Sequence, residues 1–116
     1  MPFLTSAERA STGESADAWS FTLRADEPCF AGHFDGAPVL PGIAHVAIAI
    51  EACARLSAPP GPLLAIDDLR FLQPLGPGDR CAVRVSPAPD AIRFEIHRDG
   101  VLASRGHLRF ADGGGR

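Results

Sequence analysis

The chain has 116 residues, a mass of 12.2 kDa and a net charge of −3, which is the size of a single domain covering residues 1–116. A hydrophobic fraction of 46% with 22% charged residues excludes a disordered chain, and a pI of about 5.7 argues against a nucleic-acid binder. All eleven basic residues are Arg, which excludes Schiff-base lysine chemistry and a phosphate-binding loop with its lysine.

The three cysteines indicate a reducing compartment, so we expect a cytoplasmic protein. Their number is odd, and their positions, Cys29, Cys53 and Cys81, are far apart, without the C-x-x-C spacing of redox or zinc sites. We interpret Cys53 as a buried free thiol, with a nucleophilic role as the alternative. Residues 1–17 lack the pattern of a signal peptide, and the longest apolar stretch, 43–54, is too short to span a membrane.

The first half of the chain predicts one strand and one buried helix. Residues 18–25 alternate, with Trp19, Phe21 and Leu23 on one face, which is typical of a half-buried strand. Residues 28–40 form a long loop rich in Gly and Pro. Pro41-Gly42 then opens a helix over residues 43–56, because proline suits the first helical position. This helix is apolar nearly all round and must be wrapped on most sides.

The second half predicts a meander of four strands, at residues 63–72, 80–86, 92–98 and 101–110. Asp99-Gly100 between the last two is a strong signal for a two-residue hairpin turn. Residues 1–17 and 112–116 are predicted to be poorly ordered. The expected architecture is an α+β domain, in which one curved antiparallel sheet wraps around one apolar helix and its edges pair in a dimer.

Two blocks of sequence carry a resemblance to a known family. Residues 30–43 read Phe-Ala-Gly-His-Phe-Asp-Gly-Ala-Pro-Val-Leu-Pro-Gly-Ile, and residues 66–79 read Ile-Asp-Asp-Leu-Arg-Phe-Leu-Gln-Pro-Leu-Gly-Pro-Gly-Asp. Both resemble the signatures of the FabZ- and FabA-like 3-hydroxyacyl-[acyl-carrier-protein] dehydratases, which have the hotdog fold. Asp35 stands where that family usually has a proline.

The resemblance implies the elimination of water from a 3-hydroxyacyl thioester in fatty-acid or polyketide-type biosynthesis, without a cofactor or metal. His33 would take the C2 proton, and the N–H of Gly42 at the helix start would bind the thioester carbonyl. The acyl thioester, carried by an acyl carrier protein or coenzyme A, would contact residues of the motif, the helix and the second block: Phe34, Pro41, Gly42, Ile43, Ala47 and Phe71.

The chain departs from the family at the acid that protonates the leaving hydroxyl. In the family this is a carboxylate fourteen residues after the histidine, and here that position is Ala47. Glu51, one helical turn further along, is the candidate acid, since desolvation among apolar neighbours would favour its protonated form. The alternative is a buried or interface carboxylate paired with an Arg.

Other polar residues near the motif have two interpretations each. His45 points away from Ala47 and is expected to be a packed or interface histidine, with a role in catalysis as the alternative. Asp35 is expected to cap the loop, and the alternatives are that it orients His33 or acts as the acid. His97 and His107 are expected on solvated strand faces. Five arginines are either ordinary surface residues or a basic mouth for an acidic carrier protein: Arg24, Arg70, Arg80, Arg105 and Arg109.

Three functions follow from these features. The first is a 3-hydroxyacyl thioester dehydratase that acts as a homodimer or higher homo-oligomer. The second is a non-catalytic or half-catalytic subunit, which needs a heterodimer with a carboxylate-bearing hotdog chain because Ala47 replaces the usual acid. The third is an acyl thioesterase or acyl-thioester binder, although the His-Phe motif is not typical of thioesterases.

Overall fold

The computed structural model describes residues 3–4, 7–12, 17–30, 39–56 and 60–111. These residues form one α-helix, a short 3-10 turn and six strands. In chain order the elements are β1 (Glu8–Thr12), β2 (Asp17–Thr22), the 3-10 turn (Pro28–Phe30), α1 (Gly42–Ala54), β3 (Leu63–Phe71), β4 (Arg80–Ala88), β5 (Ala91–Arg98) and β6 (Val101–Phe110). One curved antiparallel sheet with strand order β1-β2-β4-β5-β6-β3 packs against the helix, which confirms the predicted α+β fold class.

The core lies between α1 and the inner face of the sheet. Alternate residues of the central strands, among them Val83, Val85, Phe94 and Ile96, are buried because successive strand side chains point to opposite faces. The helix contributes buried apolar residues, and its alanines let it approach the sheet closely: Ala44, Val46, Ile48, Ala49, Ala52 and Cys53. The apolar composition of α1 and the alternation of the strands therefore account for one continuous core.

The hairpin at the end of the chain follows its sequence closely. Asp99 and Gly100 have φ angles of 51° and 81°, the positive values that a two-residue turn of this type requires, and Arg98 pairs with Val101. The predicted hairpin is confirmed.

The strand order corrects the predicted meander of four strands. Strands β4, β5 and β6 do follow one another, but β3 pairs with β6 at the far edge of the sheet. The connection from Leu72 to Asp79 crosses the sheet ends instead of forming a tight turn. It buries Leu75 and is held by hydrogen bonds from Leu40 N–H to Leu75 O at 2.6 Å and from Gly78 N–H to Leu23 O at 2.7 Å.

The structure also has a strand before residue 17, where the sequence predicts poor order. Strand β1 pairs with β2 at the edge of the sheet, and the Arg9 guanidinium lies 5.4 Å from the centre of the Trp19 ring. Residues 112–116, for which poor order is also predicted, lie outside the described residues.

A β-bulge in β3 determines which of its side chains face inward. Asp67 pairs with His107 and Arg70 pairs with Arg105, so three steps along β3 oppose two along β6. Asp68, at φ 54°, is part of this irregularity. The extra residue places Phe71 opposite Ser104, which is fully buried, and so brings the Phe71 ring towards the start of α1.

Candidate functional site

The start of α1 presents backbone N–H groups without partners. Pro41 is the N-cap residue, with extended backbone and no side-chain cap, and its carbonyl accepts a hydrogen bond from Ala44 N–H at 2.9 Å. The N–H groups of Gly42 and Ile43 have no partner among the described residues. Because the peptide dipoles of a helix add up along its axis, such a terminus favours a ligand atom with negative charge.

Gly42 lies beside a cavity of about 420 Å³, which we call the helix-start cavity. Its wall consists of the helix start and the chain that leaves β3, namely Val39, Leu40, Gly42, His45, Phe71, Leu72, Gln73 and Pro74. The wall is held by hydrogen bonds from the N–H groups of Leu72 and Gln73 to the carbonyl of Ala103, at 2.7 and 3.2 Å. Polar groups and apolar side chains therefore share the wall of this space, as they do in small-molecule sites.

Gly42 and Phe71 are in close contact at the edge of this cavity. A Cβ atom added to Gly42 would lie 3.0 Å from the tip of the Phe71 ring, so no larger residue fits without a shift of the ring. Phe71 is nevertheless 50% exposed. The structure thus brings together two of the predicted substrate-binding residues, while their role stays a prediction.

His45 is the titratable group on the cavity wall, and it is 3% exposed. Its Nδ1 lies 2.8 Å from Oγ of Ser104, and its ring packs edge-on against Phe71 with 5.0 Å between centroids. Burial lowers the pKa of His45 to about 4, so the imidazole is neutral near pH 7. The prediction that His45 is packed is confirmed, and its alternative role in catalysis stays a prediction.

Glu51, the candidate acid, is turned towards the start of the chain. Its Oε1 accepts hydrogen bonds from the backbone N–H groups of Phe3 and Leu4, at 2.7 and 2.9 Å, and its Oε2 accepts from Phe3 N–H at 2.8 Å. Arg55, four residues later, donates to the carbonyl of Leu4. Both carboxylate oxygens act as acceptors in this arrangement, and backbone donors take the place of the Arg that the alternative interpretation pairs with Glu51.

Ile43, Ala47 and Ile50 form an apolar stripe along the outer face of α1. Ile43 is 75% exposed, and Ile50 is also exposed, although the composition of the helix predicts that it is wrapped on most sides. Ala47, where the resemblance places a carboxylate, lies in the middle of this stripe and is half-buried. The stripe lies on the side of α1 opposite His45, because residues 45 and 47 are separated by about 200° around a helix, whereas Gly42 is about 100° from Ile43 and lies between the stripe and the cavity.

His33 and Phe34, together with Asp35, lie outside the described residues. The predicted base, the aromatic residue beside it and the alternative acid therefore stay predictions. Pro41 is half-buried and leads directly into the helix start.

The remaining polar candidates have local partners. The Nε2 of His97 lies 3.5 Å from a Glu95 oxygen, and the Nδ1 of His107 lies 3.4 Å from an Asp68 oxygen at an angle that makes no hydrogen bond. Both rings are half-buried, not fully solvated as predicted. Burial raises the pKa of Cys53 to about 12, which opposes a nucleophilic thiolate.

The arginines do not form one patch around the cavity. Arg24 pairs with Asp26, and Arg109 pairs with Asp67, as ordinary surface arginines do. Arg70 and Arg105 lie directly opposite each other on neighbouring strands, which is unfavourable for two like charges unless an anion binds there. A second, larger groove of about 780 Å³ is lined by residues such as Arg24, Arg80 and His97, and none of the predicted catalytic or substrate-binding residues lines it.

Sequence reasoning missed two parts of this neighbourhood. Ser104 has no place in the predicted site, although a serine on the otherwise apolar inward face of a strand is a usable signal for a buried polar partner. The sequence predicts poor order for Phe3 and Leu4, yet Leu4 is fully buried. In the described part of the chain, no group of three His, Cys, Asp or Glu residues is placed to hold a metal ion, and no helix is long and apolar enough to cross a membrane.

Comparisons with known proteins identify dehydratases as relatives of the chain. The family described as ApeI-like, ApeI dehydratase, matches residues 8–107. A 3-hydroxyacyl-[acyl-carrier-protein] dehydratase FabZ of an Anaeromyxobacter species is 37% identical over 79 residues, which are 59% of this chain and 49% of that protein. The FabZ of Herpetosiphon aurantiacus is 35% identical over 104 residues, which are 74% of this chain and 70% of that protein. The chain thus spans about half the length of the first relative and 70% of the second.

Solved structures share the fold. The dehydratase heterocomplex ApeI:P from Xenorhabdus doucetiae contains a chain that matches with a TM-score of 0.79 at 24% identity, over 90% of this chain and 94% of that one. The pyran synthase domain from module nine of the sorangicin pathway matches with a TM-score of 0.71 at 21% identity, over 89% of this chain and 38% of that one. The predicted hotdog fold is confirmed.

Proposed function

The chain belongs to the ApeI-like dehydratase family, and we propose that it removes water from a 3-hydroxyacyl thioester to give the trans-2-enoyl thioester. The observation that carries the proposal is the N–H of Gly42, which has no partner among the described residues and lies beside the helix-start cavity. The likeness to proteins named 3-hydroxyacyl-[acyl-carrier-protein] dehydratase FabZ supports a thioester on an acyl carrier protein, with coenzyme A as the alternative carrier.

The helix start supplies the electrostatic part of the reaction. As the C2 proton leaves, negative charge develops on the thioester oxygen, and the N–H of Gly42 is a fixed donor for it. A donor placed in this way is typically worth about 3–4 kcal/mol of transition-state stabilisation. The N–H is part of the backbone, so it needs no reorganisation during the reaction.

Two protons move in the elimination. His33 takes the proton from C2, the electron pair of that C–H bond forms the C2–C3 double bond, and the C3–O bond breaks. The leaving hydroxyl takes a proton from an acid and departs as water. A histidine with an ordinary pKa near 6.5 suits the role of base close to neutral pH.

Glu51 is the proposed acid, although its present contacts oppose that role. Its two oxygens are occupied by the N–H groups of Phe3 and Leu4, so these contacts would have to open before the carboxyl group could protonate a substrate. Asp35 or a water molecule is the alternative acid, in which case the chemistry rests on His33 as the one essential base.

A second chain is part of the proposal. The apolar stripe of Ile43, Ala47 and Ile50 is uncovered, and the edge strand β3 exposes Leu64. Both features are typical of surfaces that a partner covers. A homodimer is the simplest arrangement. The second candidate is a subunit that pairs with a carboxylate-bearing hotdog chain, which Ala47 and the likeness to a chain of a dehydratase heterocomplex favour.

The experiment that tests this function measures the hydration of crotonyl thioester and the dehydration of 3-hydroxybutyryl thioester by the purified chain, with a longer homologue of each. His33→Ala and Glu51→Gln are compared with His97→Gln, a matched substitution that lines the groove away from the helix-start cavity. A thiol assay on the same samples detects hydrolysis of the thioester.

The outcomes separate the candidates. Turnover that is lost in His33→Ala and retained in His97→Gln supports the dehydratase. No turnover from a folded dimer, with turnover after addition of a carboxylate-bearing hotdog chain, supports the half-catalytic subunit. Release of free thiol without enoyl product would overturn the proposal in favour of a thioesterase.

A further inference from the structure

His45 and Ser104 form a buried polar pair that the proposed elimination does not use. Both side chains lie between α1 and the sheet, and the histidine ring is on the wall of the helix-start cavity. We propose that His45 binds the 3-hydroxyl group of the substrate, as a neutral hydrogen-bond donor that Ser104 holds in place. This inference rests on the proposed function and adds a residue that recognises the substrate.

The position of His45 on the helix suits this contact. Residues three apart lie on the same face of a helix, about 4.5 Å apart along its axis, so His45 follows Gly42 at the distance of one turn. In a 3-hydroxyacyl thioester, C3 is two bonds from the carbonyl carbon. A substrate whose carbonyl accepts the Gly42 N–H therefore places its hydroxyl group within one helical turn, where the His45 ring lies.

The partner of Nδ1 determines which ring nitrogen can act on the substrate. The described residues offer the Ser104 hydroxyl no hydrogen-bond partner other than His45 Nδ1, at 2.8 Å. A fully buried hydroxyl that donates to nothing is costly, so the Ser104 O–H donates to Nδ1. The neutral imidazole then carries its proton on Nε2, which has no partner among the described residues and is available to the cavity.

The surroundings keep the ring neutral and fixed. Desolvation lowers the pKa of His45 to about 4, so no charge is introduced into the cavity near pH 7. The edge-on contact with Phe71 and the hydrogen bond to Ser104 restrain the ring in two directions. His45 gives a hydrogen bond and no proton, so the proton balance of the elimination is unchanged.

This contact predicts discrimination between acyl groups. A buried N–H that meets a hydroxyl is satisfied, whereas the same N–H beside a CH2 group loses its water without compensation. We expect the chain to bind a 3-hydroxyacyl group about tenfold more tightly than the acyl group that lacks the hydroxyl, which is the effect of one such hydrogen bond.

The test measures binding, so that it does not depend on turnover. Dissociation constants of 3-hydroxybutyryl-pantetheine amide and butyryl-pantetheine amide are measured by calorimetry on the full chain. His45→Leu is expected to bring the ratio from about ten to about one through weaker binding of the hydroxylated amide. His45→Gln, which can place an N–H donor near the same point, is expected to keep part of the preference, and His97→Gln all of it.

A measurement on the unmodified chain covers the case in which the variants fail to fold. In 15N NMR spectra, the Nε2 resonance of His45 is expected to shift with the hydroxylated amide and to shift much less with the butyryl amide. Equal binding of the two amides, a preference that survives in His45→Leu, or equal shifts would overturn the role of His45 and leave the dehydratase function standing. No binding of either amide and no turnover would overturn both.

Discussion

Glu51 attaches the start of the chain to the helix, because its carboxylate accepts the N–H groups of Phe3 and Leu4. We predict that Glu51→Ala releases Phe3 and Leu4 and lowers the free energy of unfolding by about 1–2 kcal/mol. Hydrogen bonds to a charged group contribute about 1.5–3 kcal/mol each, and burial of Leu4 adds about 2 kcal/mol. Release of Phe3 and Leu4 returns roughly 1–2 kcal/mol of conformational entropy per residue, which offsets much of this gain, so the predicted net loss is at its lower end.

The assay combines urea unfolding with amide hydrogen exchange. Protection of the Phe3 and Leu4 amides is expected to disappear in Glu51→Ala, while the amides of the central strands keep theirs. Leu4→Ala is the matched control, since it releases the same segment without touching the carboxylate. If Glu51 acts only as this anchor, both variants lower turnover equally and by less than tenfold.

Two results would refute this reasoning. Unchanged protection of the Phe3 and Leu4 amides in Glu51→Ala would show that the carboxylate does not hold the segment. A loss of turnover of about a hundredfold or more in Glu51→Gln, with Leu4→Ala close to the unmodified chain, would instead identify Glu51 as the proton donor.

Three further predictions concern stability and assembly. The pKa of His45 in the folded chain is about 4, below the value of about 6.5 that the unfolded chain has. The stability that the neutral ring contributes is therefore complete above pH 6.5 and is lost as the pH falls. Urea unfolding should show a free energy of unfolding that is about 3 kcal/mol lower at pH 4, and a smaller pH dependence in His45→Gln. Gly42→Ala should displace the half-exposed Phe71 ring by a few tenths of an ångström and change thermal unfolding by less than about 1 kcal/mol, because the helix gain of Ala over Gly offsets the contact, and Phe71→Ala should remove the contact in the double variant. Ile43→Asp should convert a dimer into a monomer in light scattering, and a monomeric unmodified chain at the same concentration would contradict the proposed interface.

The sequence predicts the parts of the fold that local chemistry determines. Alternation identifies the strands that became β4, β5 and β6, because a strand that buries one face repeats every two residues. The Asp99-Gly100 turn is predictable because few residues tolerate its positive φ angles. Strand β1 was missed because its sequence, Glu-Arg-Ala-Ser-Thr, lacks an apolar face and is held by backbone pairing at the sheet edge.

The position of β3 in the sheet and the residues that line the cavity could not be predicted from local sequence patterns. The alternation of a strand predicts which of its residues face inward, but it does not predict which other strand pairs with it. The pairing of β3 with β6 is therefore a property of the whole sheet. The bulge near Asp68 then changes which side chains face the helix, and it turns Phe71 inward beside Ser104. A one-residue irregularity of this kind leaves no periodic signal, although the motif resemblance did select Phe71.

The two faces of α1 explain why the identity of the acid depends on the partner. Gly42 and His45 face the chain's own cavity, whereas Ala47 belongs to the uncovered stripe that a second chain would contact. A carboxylate at position 47 would therefore act at the interface, and a homodimer brings only a second Ala47 to it. In the proposed elimination, such a homodimer would rely on His33, the helix N–H groups and whichever acid its own chain or water provides. A heterodimer can add a carboxylate across the stripe without any change on this chain, so the rate gained on mixing the two chains measures how much the missing acid costs.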